Sequence, residues 1–186
     1  MALSATLHRF QIELADIDRG VYDSLDLRVA RHPSEDAERV VVRVLARALA
    51  HEEGLEFGRG LSTVEDAALW TRSPHGEITT WIDVGIPAAE RLHRASKRAG
   101  RVLVVTHKPE MALRQAWSSR EIHRAEAIEV IQLDPSLVAA IADPLDRTES
   151  WYVTVQDGLL SVARDERSCD GALRRSPLSH FVDGAA

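Results

Sequence analysis

The chain has no apolar run near the ~20 residues that a membrane-crossing helix needs, and a soluble protein is expected. The opening MALSATLHRFQIEL alternates polar and apolar residues, unlike the apolar centre of a signal peptide, so a cytoplasmic location is expected. Cysteine is nearly absent. Cys169 stands alone, which excludes an internal disulfide, and its late, polar setting reads as a bystander thiol. With no paired cysteines and no H-x-x-x-H pair, a zinc site is not expected. A glycine-rich phosphate loop and a G-x-S-x-G nucleophile elbow are both missing. Lysine is scarce too, with 21 Arg against 2 Lys, Lys97 and Lys108. Chemistry that needs a titratable amine has only those two to use. An excess of positive charge is also lacking. The formal net charge of −6 argues against a whole-surface nucleic-acid binder but leaves room for a local basic groove.

The 186 residues fit one domain or one domain with an appendage, and carry no internal repeat. Phe10, Ile12 and Leu14 alternate with polar residues, as do Val21, Leu25, Leu27 and Val29. With turn chemistry at 15–20 between them, they predict an N-terminal β-hairpin. Pro33 and Ser34 then open a helix, with Ser34 as N-cap and Glu35 and Asp36 in the first turn. Val41, Val42, Leu45 and Leu49 form its core stripe, and Gly54 ends it.

A second hairpin is predicted over 66–85, with its turn at Ser73–Gly76. Pro87 introduces a helix that stops at Gly100. RVLVVTH is a continuous apolar strand of the kind buried on both faces. A helix over 109–124, the strand AIEVIQL and the helix PSLVAAIADPL follow. WYVTVQDGLLSVA is a C-terminal hairpin turning at Asp157-Gly158. Residues 1–163 are therefore expected to form one domain, and 164–186 a polar, Arg-rich, loosely ordered tail. The element order predicts an α/β (α+β) fold, a mixed central sheet flanked by helices.

One residue stands out. In the strand GEITTWIDVG, Asp83 is a carboxylate among Trp81, Ile82 and Val84. If Ser73–Gly76 is a tight turn, Arg72 faces Glu77 and Asp83 faces Asp66, with Cβ atoms ~5 Å apart. Like charges so placed need a cation or a proton between them. Glu38 lies on the same helical stripe as Val42 and Leu45, and Glu35 sits just before it. Such a set of carboxylates suits a hard cation, Mg²⁺ or Mn²⁺, able to polarise a phosphoryl group.

ARHPSEDAERVVVRVLARAL, RGLS at 59–62, LW at 69–70 and GEITTWIDVG at 76–85 together resemble the YaeQ family of small bacterial proteins, over about 1–163. The resemblance implies a PD-(D/E)XK restriction-endonuclease-like core, helix-strand-strand-helix-strand. Mapped onto that pattern, Asp83 is the acid of its Asp/Glu-X-Lys element, and Gly85 stands where the lysine belongs. Asp66 falls near the first acidic element, without the Pro-Asp. Glu38 fits the helix acid, and Val84 would offer its carbonyl to the metal. Lys97, on the following helix, would stand in for the missing lysine.

The expected activity is metal-dependent phosphodiester hydrolysis by Glu38, Asp66, Asp83 and Lys97. The alternative is a non-catalytic module contacting nucleic acid or an acidic protein through the Arg91–Arg101 helix. Arg91, Arg94 and Arg98 share a face opposite its apolar stripe, suited either to solvent or to phosphates. A third reading has the acids satisfying Arg31 and Arg59. Arg31, His32, Ser34 and Arg59 are the remaining candidate ligand contacts. Trp70, Trp81 and Trp117 are expected in the core.

Overall fold

The computed structural model describes residues 5–59 and 65–182. Gly60, Leu61 and Ser62 of the RGLS stretch, and the last part of the expected tail, lie outside the described residues. The N-terminal hairpin is β1 (Thr6–Asp16) and β2 (Val21–Arg31), paired without a break from Thr6↔Arg31 to Asp16↔Val21. Its period-2 pattern sets its orientation: Phe10, Ile12, Leu14, Leu25, Leu27 and Val29 are buried, and the residues between them are mostly exposed.

Helix α1 (Ala37–Leu49) begins later than expected. Asp36, not Ser34, is the N-cap, its carboxylate accepting from the Arg39 amide at 2.7 Å. The reason is Glu35. Its side chain is drawn inward to Arg43, so residues 32–35 form a turn closed by Glu35 N–H to His32 C=O. The stripe Val41, Val42, Leu45 and Leu49 is buried as its spacing requires.

Short strand β3 (Glu56–Phe57) precedes β4 (Leu69–Arg72) and β5 (Ile78–Val84). The second hairpin exists, but its register differs from the tight-turn expectation. Leu69 faces Ile82 and Thr71 faces Thr80, while Arg72 faces Ile78. Thr79 is the extra residue of a bulge. The slip is two positions, so each side chain keeps its face. Continued past Leu69, it sets Asp83 against Ala68 rather than Asp66.

Helix α2 (Ala89–Arg98), β6 (Arg101–Thr106), α3 (Glu110–Trp117), a 3-10 turn (Ala125–Ala127), β7 (Ile128–Leu133) and α4 (Pro135–Ala142) follow. Helix α3 stops well short of residue 124. Its last residue, Trp117, is fully buried, with the indole N–H held by the Pro87 carbonyl at 2.8 Å. The C-terminal hairpin is β8 (Thr148–Gln156) and β9 (Leu159–Arg164). The expected tail is instead structured where it is described: Arg167–Pro177 form β10 and Ser179–Val182 a short α5.

The ten strands among the described residues make one mixed sheet, in the order β2-β1-β8-β9-β10-β7-β6-β5-β4-β3. Strands β5, β6 and β7 run parallel, as do β1 and β8. Strand β10 pairs with β9 through its first half and with β7 through its second, so it joins the two halves of the sheet. One core gathers the inner faces of both halves around α1 and α4. A second lies on the other face of β5–β7, under α2, α3 and α5. No helix among the described residues is long and apolar enough to cross a membrane.

Candidate functional site

Asp83 sits near the end of β5 with its side chain on the α2 side of the sheet, and it is 3% exposed. Both oxygens of its carboxylate are engaged. Arg91 donates from Nε to Oδ2 and from Nη2 to Oδ1, each at 2.7 Å, and the Trp81 indole donates to Oδ2 at 2.9 Å. Such a two-pronged arginine contact matches carboxylate geometry and is stronger than a neutral hydrogen bond. Burial opposes the charge on Arg91, but the hydrogen bonds and charge of Asp83 outweigh it and hold its pKa above the ordinary arginine value.

Asp66 is near but turned elsewhere. Arg91 Nη2 also donates to the Asp66 backbone carbonyl at 2.6 Å, whereas the Asp66 carboxylate takes Arg59 at 2.7 and 3.2 Å. That hydrogen bond lowers the Asp66 pKa. A guanidinium thus stands between the two acids that the sequence placed together.

The other acids are divided as well. Glu35 is buried with Arg43, at 2.9 Å, and lies 3.4 Å from Arg39 Nε. Its backbone carbonyl accepts from Arg31 and its carboxylate from the His32 amide. Ser34 Oγ meets His32 Nδ1 at 2.7 Å. Arg31, His32 and Ser34 therefore serve the entry turn of α1. Glu38 meets His107 Nε2 at 2.9 Å, with Lys108 Nζ at 3.8 Å.

Lys97 is exposed on α2, six residues and so about 9 Å along the helix from Arg91. It faces a different direction, so the lysine beside Glu38 is Lys108. The Val84 carbonyl accepts from Arg39 Nη1 at 3.2 Å. Gly85 has φ +83°, and a Cβ there would lie 3.5 Å from the same Arg39 nitrogen. A lysine at 85 would need the left-handed backbone that glycine adopts freely and L side chains avoid.

The donor set for Mg²⁺ or Mn²⁺ accordingly does not fit. Each oxygen group assigned to the ion is turned to a cationic or imidazole side chain of the chain itself. Among the described residues no group of three or more His, Cys, Asp or Glu is placed to hold a metal ion.

The outward face of α2 differs. Arg94, Lys97 and Arg98 are exposed and make no hydrogen bond or ion pair among the described residues. Arg91 is engaged inward, and Arg101 pairs with Glu52 and Glu129. Trp81 and Trp117 are buried as expected. Trp70 is half-buried beneath the Arg72 guanidinium, 4.0 Å from its ring centroid.

Residues 1–172 match the YaeQ protein family. The chain belongs to that family. It is 33% identical over 174 residues to the "Uncharacterized protein YaeQ" of Escherichia coli (strain K12), covering 91% of this chain and 94% of that one. The Salmonella typhi YaeQ protein is 33% identical over 163 residues, covering 86% and 89%. The crystallised YaeQ protein of Xanthomonas axonopodis pv. citri superposes with a TM-score of 0.85 at 33% identity, covering 92% of this chain and 98% of that chain. The Pseudomonas syringae YaeQ protein gives 0.82 at 32%, covering 92% and 95%.

Within this YaeQ-family chain the sequence reading missed Arg39 and His107 and gave Arg91 a different role. Arg39 on Val84, Arg91 as the direct partner of Asp83, and His107 on Glu38 complete the ion-pair system. His107 had a signal: it directly follows the apolar strand β6, and the carboxyl ends of parallel strands are where polar sites collect.

Proposed function

We propose that this chain is a non-catalytic nucleic-acid-binding module that keeps a nuclease-like core. The order α1-β3-β4-β5-α2-β6, with β5 and β6 parallel, is similar to the PD-(D/E)XK arrangement implied by the family resemblance. The observation that carries the reading is Arg91, whose guanidinium covers both oxygens of Asp83. A permanently charged arginine there takes the role that a metal ion has in a hydrolase of this design. Arg39 on the Val84 carbonyl does the same beside it. Binding would fall to Arg94, Lys97 and Arg98, whose charges are exposed and open to phosphates.

The test combines metal and salt. Titration with Mn²⁺, followed by its paramagnetic signal, should give no saturable site, and single- and double-stranded DNA and RNA should remain uncleaved. Nucleic acid should bind with a steep salt dependence, and Arg94→Ala/Arg98→Ala should reduce the log–log slope by about two, one per phosphate contact. Saturable Mn²⁺ binding lost in Asp83→Asn, or Mn²⁺-dependent cleavage, would restore the hydrolase. Unchanged affinity in the double variant would remove α2 as the binding face.

A further inference from the structure

The two edges of the sheet are built differently. At one end stands β3, two residues long. At the other stands β2, eleven residues long and paired with β1 without a bulge. Sheets keep an edge from pairing further by shortness, bulges, proline, lysine or an inward-pointing charge. The β3 edge is short. Between Leu25 and Ala30 the β2 edge has none of these, since Leu25, Leu27 and Val29 point inward and Asp26 and Arg28 outward. The two charges it does carry are of opposite sign and share one face, which makes the edge complementary to itself.

The ladder fixes where the main-chain groups of β2 point. Along a strand, alternate residues turn both N–H and C=O to the same side. The amides of Arg9 and of Ile17, just past β1, donate to the Arg147 and Val155 carbonyls, each at 2.8 Å. The odd-numbered residues of β1 therefore face β8, and the even-numbered ones face β2. The register Phe10↔Leu27 and Ile12↔Leu25 then turns Leu25 and Leu27 to β1, and Ser24, Asp26, Arg28 and Ala30 to the open side. Side chains cover both ends of this open row. The Ser24 amide donates to the Asp23 carboxylate at 2.8 Å, and the Ala30 carbonyl accepts from Arg43 Nη1 at 3.2 Å. Between them, the main-chain groups of Asp26 and Arg28 have no partner among the described residues.

The side chains leave the same gap. Arg28 is exposed and lies directly opposite Arg9 across the ladder, an unfavourable placement of like charges. Asp26, two residues away on the same face, is taken by Arg9 at 2.6 and 3.1 Å. Arg28 itself makes no hydrogen bond or ion pair among the described residues. On the inner face, Leu25 and Leu27 keep 8% and 9% exposure, against 1% and 0% for Ile12 and Phe10, their partners in β1. The core is thus less covered along this edge.

We infer that the β2 edge is a self-association surface that takes the β2 strand of a second copy of this chain, antiparallel, about a two-fold axis at Leu27. In that register Asp26 of each copy faces Arg28 of the other, and each such pair exchanges both main-chain hydrogen bonds. Leu27 meets Leu27 on the inner face. Charge selects this register. Moving the axis one residue either way sets Asp26 against Asp26 or Arg28 against Arg28, like charges directly opposed. The contact is isologous and closes on itself, so it makes a dimer and not a fibre. A single strand edge is small beside the roughly 1,600 Å² of a standard interface, so the dimer is weak, with a Kd between about 10 μM and 1 mM. Helix α2 packs on the other half of the sheet and stays free in both copies.

Sedimentation equilibrium of the full chain, up to about 1 mM, tests this together with amide hydrogen exchange. A monomer–dimer equilibrium is expected, with exchange at Asp26 and Arg28 slowing as the concentration rises. Arg28→Asp and Asp26→Arg, both at exposed positions, should each melt with the natural chain and weaken association about tenfold or more, because each sets like charges across the axis. Mixed in equal amounts, the two variants should associate at least as tightly as the natural chain, since every contact between positions 26 and 28 again joins opposite charges. A chain that stays monomeric to about 1 mM overturns the inference. So does a dimer indifferent to both charge reversals, a mixture of the two variants that stays monomeric, or protection that rises with concentration elsewhere than at Asp26 and Arg28.

Discussion

Asp83 is held by donors that are themselves anchored. Arg91 is 21% exposed at its side chain and reaches both Asp83 and the Asp66 carbonyl, while its guanidinium lies 5.1 Å from the Trp81 ring centroid. Removing one partner of such a pair leaves the other charged and dry, a loss of about 3–5 kcal/mol. Arg91→Ala should therefore lower the urea unfolding midpoint by that loss divided by the slope, with the slope unchanged. Asp83→Asn should cost less, because Arg91 can turn its charge to water. The double change Asp83→Asn/Arg91→Met should recover much of the loss, since it leaves no buried charge. An Arg91→Ala variant no less stable than Arg94→Ala would show that the pair does not support the fold.

At the level of elements, α4 and β10 interlock. Gly171 lies in β10 beneath α4, where an added Cβ would stand 2.6 Å from Asp134 Cβ and 2.8 Å from Leu137 Cβ. Both are backbone-proximal atoms on a helix start fixed by its own cap, so neither yields easily. Gly171→Ala should cost about 1–3 kcal/mol by overpacking, measurable by calorimetry, and an unchanged melting temperature would mean that α4 shifts without penalty. The same strand explains what the sequence hid. Strands β1, β2, β6 and β8 repeat apolar residues with the period of their burial and were legible. In β10 the buried positions include Gly171 and Leu173, among arginines and serines, so hardly any hydrophobic rhythm marks it. The second hairpin was legible as a hairpin, but its wider turn, in which Ser73 rather than Arg72 meets Glu77, and the bulge at Thr79 left no trace in composition, and together they moved Asp83 off Asp66. The sequence singled out the acids, and it named Arg59 and Arg91 as candidate contacts. The pairings of Asp83 with Arg91, of Val84 with Arg39 and of Glu38 with His107 were not legible, because these residues come from separate elements that only the fold brings together.

For the whole molecule, β10 decides whether there is one sheet or two fragments. Without it β9 and β7 would each expose an edge, and nothing would bridge the halves that enclose α1 and α4. The segment also carries Leu173, Leu178 and Phe181, each nearly or fully buried and each contributing about 1.5–3 kcal/mol. Together these are a large part of the roughly 5–15 kcal/mol that stabilises a domain. A chain ending at Ala163, where the sequence suggested that the domain closes, should therefore fail to fold cooperatively. Its amide spectrum should lack dispersion and its thermal unfolding should lose the sharp transition of the full chain. A chain ending at Val182 should keep both. If residues 1–163 alone gave a dispersed spectrum and a cooperative transition, β10 would be an addition to a self-sufficient fold rather than the strand that joins its halves.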